Sequence, residues 1–241
     1  MSGKIMKEIL LEGKVKTVWS TDLLGEVIVE YHDKVTAGNG RKVDFPEGKG
    51  EVCCQISSIL FEKLQQAGVN THYIELETPT RMRCKKVNII PIEVVVRNFV
   101  AGSLCRQTYL REGIALNPPL VEFYLKDDDK DDPLLTIDRM ERMGYNEILY
   151  SLLISNALKV NDVLKEIFFN MDLDLIDFKL EFGNDSENGH LVLADELSPD
   201  SMRLWKKGTK ESMDKDLFRK DKGDIIKAYG EILTSLLNID I

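Results

Sequence analysis

Apolar and polar positions along the chain change period several times, and each change marks an element. From Ile9 to Ser20 the chain reads as strand, glycine turn, strand, with Gly13 at the turn and Lys14 and Lys16 on one side. Glu26 to His32 reads as a further strand, and Asp33 to Gly40 as a glycine-rich loop containing Asn39. Apolar residues then recur at Val52, Ile56, Ile59, Leu60 and Leu64, with Gly68 just past them, which predicts an amphipathic helix over 52–67 with a glycine stop. Two strands, His72 to Thr78 and Arg81 to Val87, flank Thr78-Pro79-Thr80. Up to this point the pattern is that of a small antiparallel sheet with one helix. Pro91 cannot donate to a ladder, so it predicts a sheet edge or a crossing between lobes before the buried strand Val94 to Arg97. Leu104 to Arg111 has helical character, and Ser103 is placed to cap it, which with Arg97 nearby would make a small anion site. A strand from Leu120 to Lys126 runs into an acidic loop. Helical periodicity dominates 146–171, and Ile225 to Leu237 closes the chain as an amphipathic helix.

The stretch from Leu175 to Arg203 carries the densest chemistry. Between Ile176 and Phe182 the period is two, so Phe178, Leu180 and Phe182 share one face while Asp177, Lys179 and Glu181 share the other. A polar turn from Gly183 to Gly189 leads into Leu191 to Ala194, apolar on both faces, which ends in Asp195-Glu196. An isolated Asp-x-Lys-x-Glu strand is ordinarily a solvated surface. Here the second strand's apolarity predicts burial on both faces, where a charge is costly unless paired or bound to metal. Acidic residues also oppose strand propensity, a conflict that tends to fall at functional sites. The hairpin would bring the two carboxylate pairs together, with Arg203 just beyond. Carboxylates for a divalent cation, a lysine between them and an arginine for an anion point to phosphate chemistry.

Composition narrows the class. The 241 residues suffice for one large domain or two small lobes without disulfides. Cys53, Cys54, Cys84 and Cys105 form no C-x-x-C pair and no metal-ligand spacing with His32, His72 and His190, as expected of reduced thiols in a cytoplasmic protein. The first ten residues hold Lys4, Lys7 and Glu8 and no apolar targeting core, and no stretch is apolar for long enough to span a membrane. A net charge of −9 argues against a broad nucleic-acid footprint. No G-x-x-x-x-G-K-[ST] is present, so any phosphate loop is not of the Walker type.

Three segments, Pro91-Ile-Glu-Val-Val-Val-Arg97 followed by Ala101-Gly-Ser103, Asp177-Phe-Lys-Leu-Glu-Phe-Gly183, and Asp195-Glu-Leu-Ser-Pro-Asp-Ser-Met-Arg203, resemble in order the signatures of the SAICAR synthetase family. The resemblance covers nearly the whole chain. It implies a two-lobed α+β fold with an N-terminal antiparallel β lobe over 1–88, whose kinase-like glycine hairpin covers ATP. A larger ATP-grasp-like α+β lobe over 89–241 would carry metal and substrate sites, with the active site in the cleft between the lobes. It implies an ATP-dependent ligase that joins 4-carboxy-5-aminoimidazole ribotide (CAIR) to L-aspartate through an acyl phosphate, giving SAICAR, ADP and phosphate in purine synthesis.

Residue by residue, the resemblance implies Gly13, Lys14, Lys16 and Lys86 at ATP, Glu181 and Asp195 at Mg²⁺, and Arg97, Ser103, Asp177, Lys179 and Arg203 at CAIR, with Asp177 and Lys179 also catalytic. Lys126 and Asp132, which fit the family's Lys, spacer, Asp-Pro pattern, together with Arg219, are candidates for the aspartate pocket. Lys215 and Asp216 lie in the matching segment before the last helix. Asn39 stands where the family commonly has Asp. Family members often form homodimers. Two other classes share parts of this pattern: a kinase-like small-molecule phosphotransferase, and a non-catalytic nucleotide-binding regulator.

Overall fold

The computed structural model describes residues 8–38 and 40–239; Asn39 and the chain ends lie outside the described residues. Two compact units divide the chain. The first takes the described residues of 1–89, 183–198 and 226–241, and the second takes 90–182 and 199–225. The sequence-based division after residue 88 follows the first crossing of the chain, whereas residues 183–198 and the last helix group with the N-terminal segment.

In the first unit, strands β1 (Ile9–Glu12), β2 (Lys16–Ser20), β3 (Glu26–Tyr31), β6 (Tyr73–Thr78) and β7 (Arg81–Lys85) form a five-stranded sheet in the order β1-β2-β3-β7-β6. All its pairings are antiparallel. A two-stranded hairpin, β4 (Val35–Ala37) with β5 (Lys42–Asp44), replaces the expected loop. Helix α1 (Lys49–Gln66) buries Cys53, Ile56, Leu60 and Leu64, spaced three and four apart as an apolar stripe requires, with Phe61 buried beside Leu60. Phe61 stacks on Tyr73 at 6.0 Å and meets His72 edge-on at 5.1 Å. The helix starts three residues before the expected Val52. The Asp33 carboxylate accepts the amides of Gly48 and Gly50 at 3.2 and 2.9 Å, satisfying orphan first-turn donors from a distant loop.

The second sheet has the order β10-β9-β8-β11-β12, with β13 on β11. Its strands are β8 (Val87–Phe99), β9 (Ala115–Leu125), β10 (Leu134–Leu135), β11 (Leu173–Asp185), β12 (Leu191–Ala194) and β13 (Met202–Lys206). The division between the units falls inside β8 and β11. In the second unit, α4 (Glu147–Phe169) buries Leu153, Ala157, Val160, Leu164 and Phe168. Its Asn161 exchanges amide hydrogen bonds of 2.8 and 3.1 Å with Asn98 of β8, so a buried polar pair fixes the helix on the strand. Helices α2 (Ser103–Gln107), α3 (Ile137–Arg142) and α5 (Asp216–Arg219) are short, and α6 (Ile225–Asn238) ends the described chain.

Two expectations are corrected. Pro91 does not mark a sheet edge, since β8 lies between β9 and β11, while the division between the two units falls just before it, between residues 89 and 90. The proline lies within the 13-residue β8, where registered pairing with β9 begins at Ile92 and Pro91 contributes its carbonyl, accepting the Lys126 amide at 3.1 Å. The helix after Arg97 stops at Gln107 rather than Arg111, because Thr108 turns to extended backbone and its hydroxyl takes the Leu104 carbonyl at 2.6 Å. Among the described residues no helix is long and apolar enough to cross a membrane.

Candidate active site

The register of the second sheet brings one group of the candidate residues together. β8 alternates, burying Ile92, Val94 and Val96 and leaving Glu93, Val95 and Arg97 on the other face. Across the antiparallel ladder Val95 faces Glu122 and Glu93 faces Tyr124, so those two side chains share the Arg97 face. On β11 and β13 the register places Asp177 opposite Arg203.

Arg97 therefore has a fixed seat. Its Nε donates to Glu122 Oε2 at 2.6 Å, Nη1 to Asp177 Oδ2 at 2.7 Å, and Nη2 to Ser103 Oγ at 2.9 Å and Tyr124 Oη at 3.3 Å. Arg203 Nη1 donates to both Asp177 oxygens at 2.9 Å, and its Nε reaches Asp216 Oδ2 at 3.4 Å. One carboxylate thus holds two guanidinium groups side by side, the geometry an anionic ligand would meet. Burial opposes the charge on both arginines, but the Asp177 carboxylate, with Glu122 beside Arg97 and Asp216 beside Arg203, outweighs it and raises both pKa values. Asp216 is itself buried, yet Arg203, Lys220 and Arg219 hold its carboxyl well below the usual carboxylate range. Asp214, which accepts the Leu204 and Asp216 amides, is pushed up to about 7 by burial.

Ser103 is the first residue of α2 and its hydroxyl does not cap it; it accepts from Arg97 instead. That corrects the expected capping role, and α2, at five residues, is too short to offer a helix-end anion site. The preceding Gly102 has φ +57, and a Cβ there would lie 2.6 Å from Arg203 Nη2. Only glycine lets the guanidinium lie so close to this backbone. Arg97, Ser103, Asp177, Lys179, Arg203 and Arg219 all line one cavity, so the five CAIR candidates and one aspartate candidate are brought together.

Lys126 and Asp132 do not line that cavity. Lys126 pairs with Glu181 Oε2, while Lys179 Nζ lies 2.9 Å from Glu181 Oε1 and 2.7 Å from Glu93 Oε1. Burial raises the Glu93 carboxyl despite Lys179. Asp132 accepts the Asp127 amide at 2.9 Å and closes its own acidic loop. Lys215 lies 3.8 Å from Asp200.

In the first unit, β1 and β2 form the expected hairpin, with the Gly13 amide donating to the Lys16 carbonyl at 2.8 Å and Lys14 exposed at the turn. Lys16 Nζ bridges Asp195 Oδ1 at 2.6 Å and Glu196 Oε1 at 3.3 Å. The Lys86 side chain is exposed, and its backbone ties Gly25 to Ser186. Glu181 and Asp195 each offer oxygen donors engaged by lysine ammonium groups. Among the described residues no group of three or more His, Cys, Asp or Glu side chains gathers as a metal cage. Hard carboxylate oxygens in small number suit Mg²⁺, which is usually held by one or two carboxylates plus phosphate oxygens and water.

His72 is buried, and burial lowers its imidazole to about 4, with the Asp195 carboxylate only partly offsetting. A histidine kept neutral by folding contributes stability above its unfolded pKa of about 6.5, lost as pH falls toward 4. Between pH 7 and pH 5 this group alone should cost about 2 kcal/mol. Urea unfolding of wild type and His72→Gln at both pH values checks this: the wild type should lose about 2 kcal/mol more than the variant.

The sequence reading did not single out Glu93 as a functional residue, nor Glu122, Tyr124 or Glu196. A signal existed for the first three: Glu93 and Arg97 share parity within one buried strand, and Glu122 and Tyr124 lie two apart in the next. Their pairing needed the register, which local sequence does not state.

A sequence model of the SAICAR synthetase family matches residues 9–236. The phosphoribosylaminoimidazole-succinocarboxamide synthase of Finegoldia magna is 46% identical over 230 residues, covering 95% of this chain and 99% of that protein. The crystal structure of the synthase from Ehrlichia chaffeensis superposes with a TM-score of 0.91 at 38% identity, over 97% of this chain and 100% of the other. A SAICAR synthetase in complex with ADP gives 0.92 at 41% identity, over 97% and 99%. The chain belongs to the SAICAR synthetase family and is an ATP-using ligase of purine biosynthesis.

Proposed function

We propose that the second unit's arginine pair is the phosphate anchor for CAIR and that the reaction runs through an acyl phosphate. The observation that carries this reading is the single cavity lined by Arg97, Ser103, Lys179 and Arg203 around Asp177. A carboxylate resists attack by an amine because oxide is a poor leaving group, so phosphorylation by ATP must come first. The bound ADP of a structure 41% identical to this chain supports nucleotide use.

In this reading Arg97, Ser103 and Arg203 orient the ribotide by its phosphate, and Asp177 keeps both guanidinium groups aimed while accepting a substrate hydroxyl. Lys179 stands at the reacting carboxylate, tied to Glu93 and Glu181. Gly13, Lys14, Lys16 and Lys86 of the first unit serve the triphosphate. Glu181 and Asp195 hold Mg²⁺, which when bound neutralises charge on the transferring phosphoryl group. Arg219, beside Asp216, belongs to the aspartate pocket together with Lys126, and Asp132 shapes the loop that carries Lys126. Two lobes, the first of kinase-like and the second of ATP-grasp-like character, a homodimer and a cytoplasmic location complete the proposal. The acidic balance and the four free cysteines support the last.

The test is substrate-selective. Arg203→Met should raise KM for CAIR at least about tenfold, the effect of losing a charge-assisted hydrogen bond of about 1.5–3 kcal/mol, while KM for ATP stays within twofold. Equal shifts in both constants would remove the phosphate assignment.

A further inference from the structure

The carboxylate pair at the end of β12 sits on a backbone corner in a conformation that an L side chain rarely adopts. Asp195 has φ +66, in the left-handed region that a non-glycine residue adopts only when its surroundings hold it there. Lys16 bridges Asp195 and Glu196, and Ser198 Oγ donates to Glu196 Oε2 at 2.9 Å, yet these bonds reach side chains only. The backbone of the corner is fixed from α1. The Leu197 amide donates to Ser57 Oγ at 2.9 Å across a separation of 140 residues, and Tyr31 Oη donates to the same oxygen at 3.2 Å. Ser57, Leu197 and Ser198 are fully buried and Tyr31 nearly so. A hydroxyl oxygen accepts two hydrogen bonds, and both are used here. The Tyr31 ring lies 5.6 Å beneath Lys16 Nζ, so the brace also touches the cation that contacts Asp195.

We propose that Ser57 is a positioning residue for the nucleotide's metal: by accepting the Leu197 amide it sets the corner on which the Asp195 carboxylate is presented. The inference rests on the proposed metal role of Asp195. Without the Ser57 hydroxyl the buried Leu197 amide has no acceptor there, and the strained corner relaxes by turning Asp195 away from its presented position. Tyr31 supports Ser57 but does not hold the corner itself.

The test is calorimetric titration of ADP into the full chain at a series of free Mg²⁺ concentrations, with CAIR titrated separately. Ser57→Ala should raise the Mg²⁺ concentration that gives half of the maximal ADP affinity at least fivefold, with the CAIR dissociation constant unchanged. Tyr31→Phe, which removes only one donor, should stay within twofold of wild type. If Ser57→Ala yields no folded protein, Ser57→Cys, which keeps a weak acceptor, is measured in its place and should give a smaller shift in the same direction. A wild-type Mg²⁺ dependence in the Ser57 variant overturns the inference, as does a shift in Tyr31→Phe equal to it, or a parallel loss of CAIR binding. Asp195→Asn separates the two levels. If it too leaves the Mg²⁺ dependence unmoved, the metal reading has failed; if it moves the dependence and Ser57→Ala does not, only the positioning role has.

Discussion

Glu181→Gln lowers turnover at least about a hundredfold while the protein stays folded. The carboxylate is 2% exposed and takes both Lys126 and Lys179, so its charge is built into the site. Losing one preorganised transition-state contact costs about 2.7–4 kcal/mol, a factor of about 10²–10³ in rate. The stability cost is small, because the Lys126 and Lys179 side chains are 43% and 32% exposed and can turn to water when their partner becomes neutral. Asp195→Asn should behave alike on turnover. Steady-state kinetics with a thermal melt checks both parts. Near-normal turnover in either variant would sink the metal assignment.

Asp177→Ala acts in the opposite way, on stability first. The Arg97 side chain is 4% exposed and that of Arg203 18%, so neither guanidinium reaches water freely when the shared carboxylate is removed. Breaking a buried pair from one side costs about 3–5 kcal/mol, since it strands the remaining charge. Glu122 and Asp216 keep a hold on the arginines, which places the expected loss near the lower end of that range. Urea unfolding measures it, and CAIR binding should fall with it. A loss below about 1 kcal/mol would mean that Asp177 serves the substrate and not the arginines.

The elements whose packing is local were legible in the sequence. The three long helices announced themselves by apolar spacing, and β11 by its period of two, because one apolar face suffices to write each pattern. The fold class emerged at the same level: the chain is mixed α+β with antiparallel sheets, as in the solved structures it resembles. Elements defined by distant partners were not legible. Asp33 starts α1 from 15 residues away, β13 is defined by its pairing with the distant β11, and Ser103 looked like a cap until Arg97 claimed its hydroxyl. Pro91 misled only as to a sheet edge: the rule that excludes proline from strands concerns its missing amide, and β8 uses its carbonyl, with the division between the units just before it. The motifs picked out Arg97, Asp177, Lys179 and Arg203, which the structure brings to one cavity. Their supporting residues, Glu93, Glu122 and Tyr124, follow from the register alone.

Phosphate release by the purified chain with ATP and Mg²⁺, adding CAIR and L-aspartate separately and together, tests the ligase account most directly. The account predicts sustained release only when both are present, with SAICAR formed in equal amount. Sustained release with CAIR alone would contradict it in favour of a phosphotransferase, and no release in any mixture, with ADP still bound tightly, in favour of a regulator.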